Sequence, residues 1–415
     1  MSIICSWFHK NHRRTLFCIL YERYIVKEKV LTIFLSVAIF LSACSSASTT
    51  PTVDIDVINA QAVETVFAGM TQTVEAIPAT PTETATPLPP PTAVRTPPAL
   101  PAAFTTGLLD PLDVPQTYEA DTCQYLRNKW DQNNAAPGTV VMTIMFHSIT
   151  GDAKTDPNQV SLKEFRLLMK DLNELGFQAI DMQQMADFMY NNAKIPQRSV
   201  LLIVDDRHYR QYFDDFFHEY YQNWGWKVIN AWISLDDSIG ALALPENVAL
   251  ENEGWVDHQA HGFVHNIPMS DSSTDEYLEG ELLGSKNVFE QYYGKSPIAI
   301  IWPGGGFGDR PAQFARKYGY KLGFTVNPRG PVMYNWVPQG TENDPRRPSY
   351  VPETWVGDPL MTLPRYWDTD ARSYLDEVRV IGQDATAYAE QNKAVELEYY
   401  DIVCAPEYGA IPIVQ

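Results

Sequence analysis

Two apolar runs constrain this chain more than any other feature. VVMTIMF (140–146) and SVLLIV (199–204) are almost uninterrupted in apolar side chains. A strand with one wet face alternates apolar and polar residues. A continuous run is buried on both faces, as in a parallel sheet covered by helices. The flanking segments agree. In SLKEFRLLMKDLNELGF (161–177), Phe165, Leu168, Met169, Leu172 and Leu175 recur at helical spacing, and Gly176 ends the helix. FQAIDMQQMADFMYNN (177–192) reads as a short strand and a second helix. HEYYQNWGWKVINAWIS (218–234) gives the end of a helix and then a strand. TDEYLEGELLGSKNVFEQYYG (274–294) reads as a helix and IAIIWP (298–303) as a strand. A helix around 310–318 then leads into the strand KLGFTV (321–326).

Strands that alternate with helices argue for a parallel α/β domain, either a barrel or an open sheet. In both, ligands sit beyond the C-terminal ends of the strands. Three such places carry notable residues: His147 after VVMTIMF, Asp205 and Asp206 after LLIV, and Gly304–Gly306 after IIWP.

The 415 residues carry a formal net charge of −20 and no basic stripe. That argues against nucleic acid as a partner, which requires many phosphate-neutralising Lys and Arg. Lys27 and Lys29 precede VLTIFLSVAIFLSA (30–43), a basic flank and a short apolar run of targeting type. The run falls short of the roughly 20 residues of a transmembrane span. LSAC (41–44), followed by a Ser-rich stretch, resembles the lipobox of bacterial lipoproteins. The resemblance implies a signal segment over 1–44 and lipid on Cys44; the residues before Ile25 fit no signal, and a true start near Val26 is expected. It also implies an extracytoplasmic chain held to the membrane by lipid alone. An ordinary secretory segment is the alternative.

Residues 45–114 read as a Thr/Pro/Ala-rich tether. TPTETATPLPPPTAVRTPP (80–98) has too little apolar surface to offset the entropy of ordering it. Its prolines favour extended chain. The folded domain is expected over 115–415. Of five cysteines, Cys123 and Cys404 fall near its two ends. Outside the cytoplasm such a pair can form a disulfide; two buried free thiols are the alternative.

Three of the eight histidines lie in WVDHQAHGFVHN (255–266), with His261 and His265 four apart. On a helix both rings would point to one side and could hold one metal ion, with a carboxylate from a strand mouth as third ligand. Two His and one carboxylate leave positions for water and substrate, as a hydrolytic site requires. Neighbouring residues on a strand point to opposite faces. Where the chain turns at the strand's end, both Asp205 and Asp206 can reach one cavity. The plainer reading is that they cap the next helix.

Taken in order over about 139–330, these segments resemble the polysaccharide deacetylase family (NodB-homology domain, carbohydrate esterase family 4). The branch that de-N-acetylates poly-N-acetylglucosamine is the most similar. VVMTIMFHSI resembles the family's first strand, VLLIVDD its Asp pair, HGFVH its H-[ST]-x-x-H metal motif, and IIWPGGG its "YPYG" strand end. The resemblance implies a distorted (β/α)7 barrel and removal of N-acetyl groups from an amino-sugar polysaccharide by metal-bound hydroxide. Asp206, His261 and His265 would hold one divalent ion, most often Zn2+. Asp205 would be the general base. Backbone N–H groups at Gly304 and Gly305 would face the oxyanion. No histidine follows His265, so the late Leu-x-His acid of many members is absent. The branch takes this acid from the first strand, which assigns it to His147. Arg207, His258, Arg365 and Trp302 are candidates for substrate contact or for support of the site.

Several positions depart from the family pattern. Gly262 stands at the Ser/Thr of the metal motif, and Ile203 and Val204 replace Thr-Phe before the Asp pair. Arg207 replaces a glycine and is expected either to pair with Asp205 or to contact an acidic substrate. Gly304 replaces an aromatic residue. An O-acetyl esterase on the same scaffold and a glycan-binding lipoprotein without activity are the alternative functions.

Overall fold

The computed structural model describes residues 95–151, 154–235, 237–265, 267–340, 344–351, 353 and 356–412. Every described residue belongs to the compact unit Pro91–Gln415. The signal segment, Cys44 and the tether up to residue 94 lie outside the described residues.

The strands are β1 (Val114–Gln116), β2 (Val140–Phe146), β3 (Ser148–Thr150), β4 (Gln159–Ser161), β5 (Gln178–Ala179), β6 (Arg198–Val204), β7 (Val228–Trp232), β8 (Val256–Ala260), β9 (Ala299–Ile301), β10 (Leu322–Phe324), β11 (Val337–Gln339) and β12 (Tyr366–Trp367). The main sheet has eight strands in the order β10-β9-β8-β7-β6-β2-β12, with β5 beside β6. All its pairings are parallel. The sheet curls and stays open. The segment that leads into β12 touches the β10 edge through an isolated bridge, Phe324 to Leu363, with Thr325 N–H donating to Leu363 O at 2.9 Å. This is the expected distorted barrel, realised as an open half-barrel.

The two-residue period explains the apolar runs. Val141, Leu201, Ile203, Ile229, Ala231, Ile301 and Phe324 fill the inner side of the curl. Val140, Met142, Ile144, Phe146, Val200, Leu202 and Val204 face the helices, including Leu162–Glu174 and Ala371–Tyr399. Both sides of β2 and β6 are therefore dry. Capping boxes start two of the helices, Ser161 with Glu164 and Asp181 with Gln184.

The packed unit reaches further toward the N-terminus than composition suggests. Within the expected tether, Phe104 packs on Trp336 and Tyr388, Leu109 is buried, and Asp113 pairs with Arg329 at 2.6 Å. Isolated apolar residues among the prolines supply this anchorage. Cys123 and Cys404 are joined by a disulfide, their Cα atoms 5.3 Å apart across a sequence separation of 281. The helix Ala371–Tyr399 was not evident from the sequence, because its buried positions include small and polar residues, Gly382 and Glu396 among them. Among the described residues no helix is long and apolar enough to cross a membrane.

Candidate active site

Four strand ends converge on one cleft. β2 delivers His147, β6 delivers Asp205 and Asp206, β8 delivers His261, and β9 runs into the turn Pro303–Gly305. Asp205 continues the ladder, its N–H donating to Phe146 O at 2.8 Å. Asp206 then adopts φ +70, a left-handed conformation that Asp tolerates better than most residues. That turn is what lets both carboxylates serve one site.

Asp206, His261 and His265 form a candidate divalent-metal site. Their ligand atoms all lie within 4.8 Å of one another. Asp206 Oδ1 is 3.8 Å from Nε2 of each histidine. That is too long for a hydrogen bond. Two ligands of one zinc-like ion, each about 2.1 Å from it, can be no more than about 4.2 Å apart, so the spacing suits a shared ion. His261 Nδ1 donates to Ile301 O at 2.8 Å, which leaves the Nε2 lone pair facing Asp206. Burial holds the His261 imidazole below its usual range, with Asp205 opposing and His265 adding to the effect. A neutral imidazole is the ligating form. The donor set and the tautomer both fit a divalent ion.

The loop that carries the two histidines is not helical. His261 follows β8 directly, Gly262 has φ +75 and His265 φ +58. A tight turn, not a helix face, brings the rings together, with centroids 4.3 Å apart.

Asp205 is braced from behind. Arg365 Nη1 donates to Asp205 Oδ1 at 2.6 Å, and Arg365 Nε donates to Thr325 O at 2.6 Å. Burial alone would raise the Asp205 pKa. The charges of Arg365, then of His261 and His147, outweigh it and bring it to about 2. His147 Nε2 lies 3.7 Å from Asp205 Oδ2, and its ring stacks on Trp367 with centroids 5.6 Å apart.

Other expectations are corrected. Arg207 neither blocks Asp205 nor faces the cleft. It makes a two-pronged pair with Asp237 at 2.7 and 2.9 Å and donates to Leu235 O at 3.1 Å. Asp237 also caps the helix Ser238–Glu253, so Arg207 braces that helix start. His258 is fully buried on the outer side of β8, between Glu251 Oε2 and Asn247 Oδ1, each at 2.9 Å. Trp302 is also fully buried and donates to Met361 O at 2.8 Å. Neither side chain is exposed. Gly305 N–H is used within its own turn, donating to Trp302 O at 3.0 Å, which leaves Gly304 as the oxyanion candidate of the pair. His208 is half-buried with Nε2 3.1 Å from Asp205 O.

Two further groups had no sequence signal. Asp368 follows Trp367 and is buried. Burial raises its carboxyl to about 8, and its Oδ2 has no hydrogen-bond partner. Glu281 is buried beside the histidine loop and accepts from Phe263 N–H at 2.8 Å.

An open, curled parallel sheet carries an Asp pair at the end of β6 and a His-x-x-x-His segment directly after β8. This is the curled, open parallel sheet typical of NodB-type distorted barrels. No family model matches the chain. A curated relative is the "Putative polysaccharide deacetylase YxkH" of Bacillus subtilis (strain 168). It is 25% identical over 190 residues, which are 45% of this chain and 64% of that protein, less than two thirds of its length. Among solved structures, Streptococcus pyogenes deacetylase PplD, in complex with acetate, is 19% identical with a TM-score of 0.46. That match covers 59% of this chain and 99% of PplD. IcaB from Ammonifex degensii is 13% identical with a TM-score of 0.44, covering 60% of this chain and 100% of IcaB.

Proposed function

We propose that this chain is a metal-dependent hydrolase that removes N-acetyl groups from an amino-sugar polysaccharide. One observation carries the reading. A candidate metal triad, an Arg-braced carboxylate and a stacked histidine meet at the C-terminal ends of parallel strands.

Asp206, His261 and His265 would hold the ion, with zinc as the expected metal. When bound, the ion supplies a Lewis acid that makes water more acidic and polarises an acyl oxygen. Asp205 accepts the proton of the attacking water. Its low pKa keeps it ionised across the working range, and Arg365 fixes which oxygen is free. Gly304 N–H donates to the oxygen on which charge develops. His147 donates a proton to the departing amine, which is otherwise a poor leaving group. Trp367 holds the imidazole in place by stacking.

The inactive-lipoprotein alternative rested partly on Arg207 as an obstruction. Asp237 engages that side chain instead, which weakens the alternative. Lipid at Cys44 and an extracytoplasmic, membrane-anchored setting belong to the same proposal. The Cys123–Cys404 disulfide is consistent with an oxidising compartment.

Acetate release from N-acetylglucosamine oligomers, measured beside acetylated xylan, tests the reading. Release from the oligomers by metal-loaded protein supports N-deacetylation. Release from xylan alone replaces it with the esterase, and release from neither replaces it with a binding protein.

A further inference from the structure

We infer that Glu281 is a positioning residue that locks the histidine loop in its ligating shape. The inference rests on the metal-site reading and extends it to a residue outside the ligand set. Glu281 lies on the helix Asp275–Val288 and is 2% exposed. Its carboxylate accepts three successive backbone N–H groups of the loop. Phe263 donates to Oε2 at 2.8 Å, Val264 to Oε1 and Oε2 at 3.0 and 3.2 Å, and His265 to Oε2 at 3.4 Å. Successive N–H groups that converge in this way form an anion cradle. A buried carboxylate needs such partners, and hydrogen bonds to a charged acceptor are the stronger kind.

The neighbouring residues are shaped around this contact. A Cβ on Gly262 would lie 2.4 Å from Glu281 Oε2 and 2.9 Å from Pro303 Cγ, at φ +75. The glycine at the Ser/Thr position of the motif therefore makes room for a carboxylate from another helix. On the same helix face, three and four residues on, Gly284 admits the Phe263 ring, and Ser285 Oγ meets Ser234 Oγ at 2.8 Å. Ser234 N–H in turn donates to Gly262 O at 3.2 Å. One helix face thus grips the loop along its length. His265, a non-glycine residue at φ +58, has no reason to keep that conformation once the grip is lost.

The test is a metal titration of chelator-stripped wild type, Glu281→Ala, Glu281→Gln and Gly262→Ala, using Zn2+ affinity and the visible spectrum of bound Co2+. Glu281→Ala is expected to weaken binding by about 10- to 100-fold, the usual cost of losing a group that supports metal ligands, and to change the Co2+ spectrum. Glu281→Gln should lose less, since one oxygen still accepts. Gly262→Ala should repeat the loss from the other side. Metal-free melting temperatures of the variants separate this effect from general unfolding. Wild-type affinity and spectrum in folded Glu281→Ala overturn the inference. If that variant does not fold, wild-type values in Glu281→Gln overturn it. Wild-type protein that takes up neither ion overturns the metal-site reading and this inference with it.

Discussion

Arg365 and Asp205 are 160 residues apart in sequence and meet at 2.6 Å with both side chains buried. The pair joins the residue just before β12 to the end of β6. Removing one partner of a buried pair leaves the other charged and unpaired, which typically costs about 3–5 kcal/mol. Arg365→Met is therefore expected to be among the most destabilising single changes near the site, read by urea unfolding. A variant as stable as wild type would show that the pair does not brace Asp205.

In the proposed reaction His147 donates the proton to the departing amine. His147→Asn should lower kcat by about 10²- to 10⁴-fold, the range for a lost general acid, and leave Zn2+ affinity unchanged. Trp367→Ala should lower kcat in the same direction by a smaller factor. Full activity in His147→Asn would assign the acid elsewhere.

Asp368 makes stability depend on pH. Burial raises its folded pKa to about 8, whereas an unfolded Asp titrates near about 3.9. Between these values the folded state holds a proton that the unfolded state has lost. Its contribution is therefore fully present below about pH 4 and is lost as pH rises through the folded value. In metal-free protein, Asp368→Asn should gain melting temperature relative to wild type at pH 8 and not at pH 4. An equal difference at both values would contradict the assignment.

Reduction of the Cys123–Cys404 disulfide releases a long closure, and native disulfides typically contribute about 2–5 kcal/mol. The Cys123→Ser, Cys404→Ser double variant should unfold at correspondingly lower urea. An unchanged midpoint would show that the ends are held by packing alone.

The residues at strand ends were legible in the sequence because the runs that carry them were. VVMTIMF, SVLLIV and IAIIWP place His147, Asp205, Asp206 and Gly304 by period and polarity alone. What the sequence hid were pairings across long separations. Nothing local indicates that Arg207 turns to Asp237, that Arg365 reaches Asp205, or that Glu281 fills the space beside Gly262. The four-residue spacing of His261 and His265 suggested a helix. The same spacing arises here from a turn, whose left-handed residues are visible only in the backbone.

The central claim is that the ion held by Asp206, His261 and His265 drives acetyl removal. The most direct measurement is acetate release from N-acetylglucosamine oligomers by chelator-stripped protein before and after Zn2+ is restored, beside Asp206→Ala. The account predicts release only in metal-restored wild type. Equal release with and without metal, or by Asp206→Ala, would contradict it.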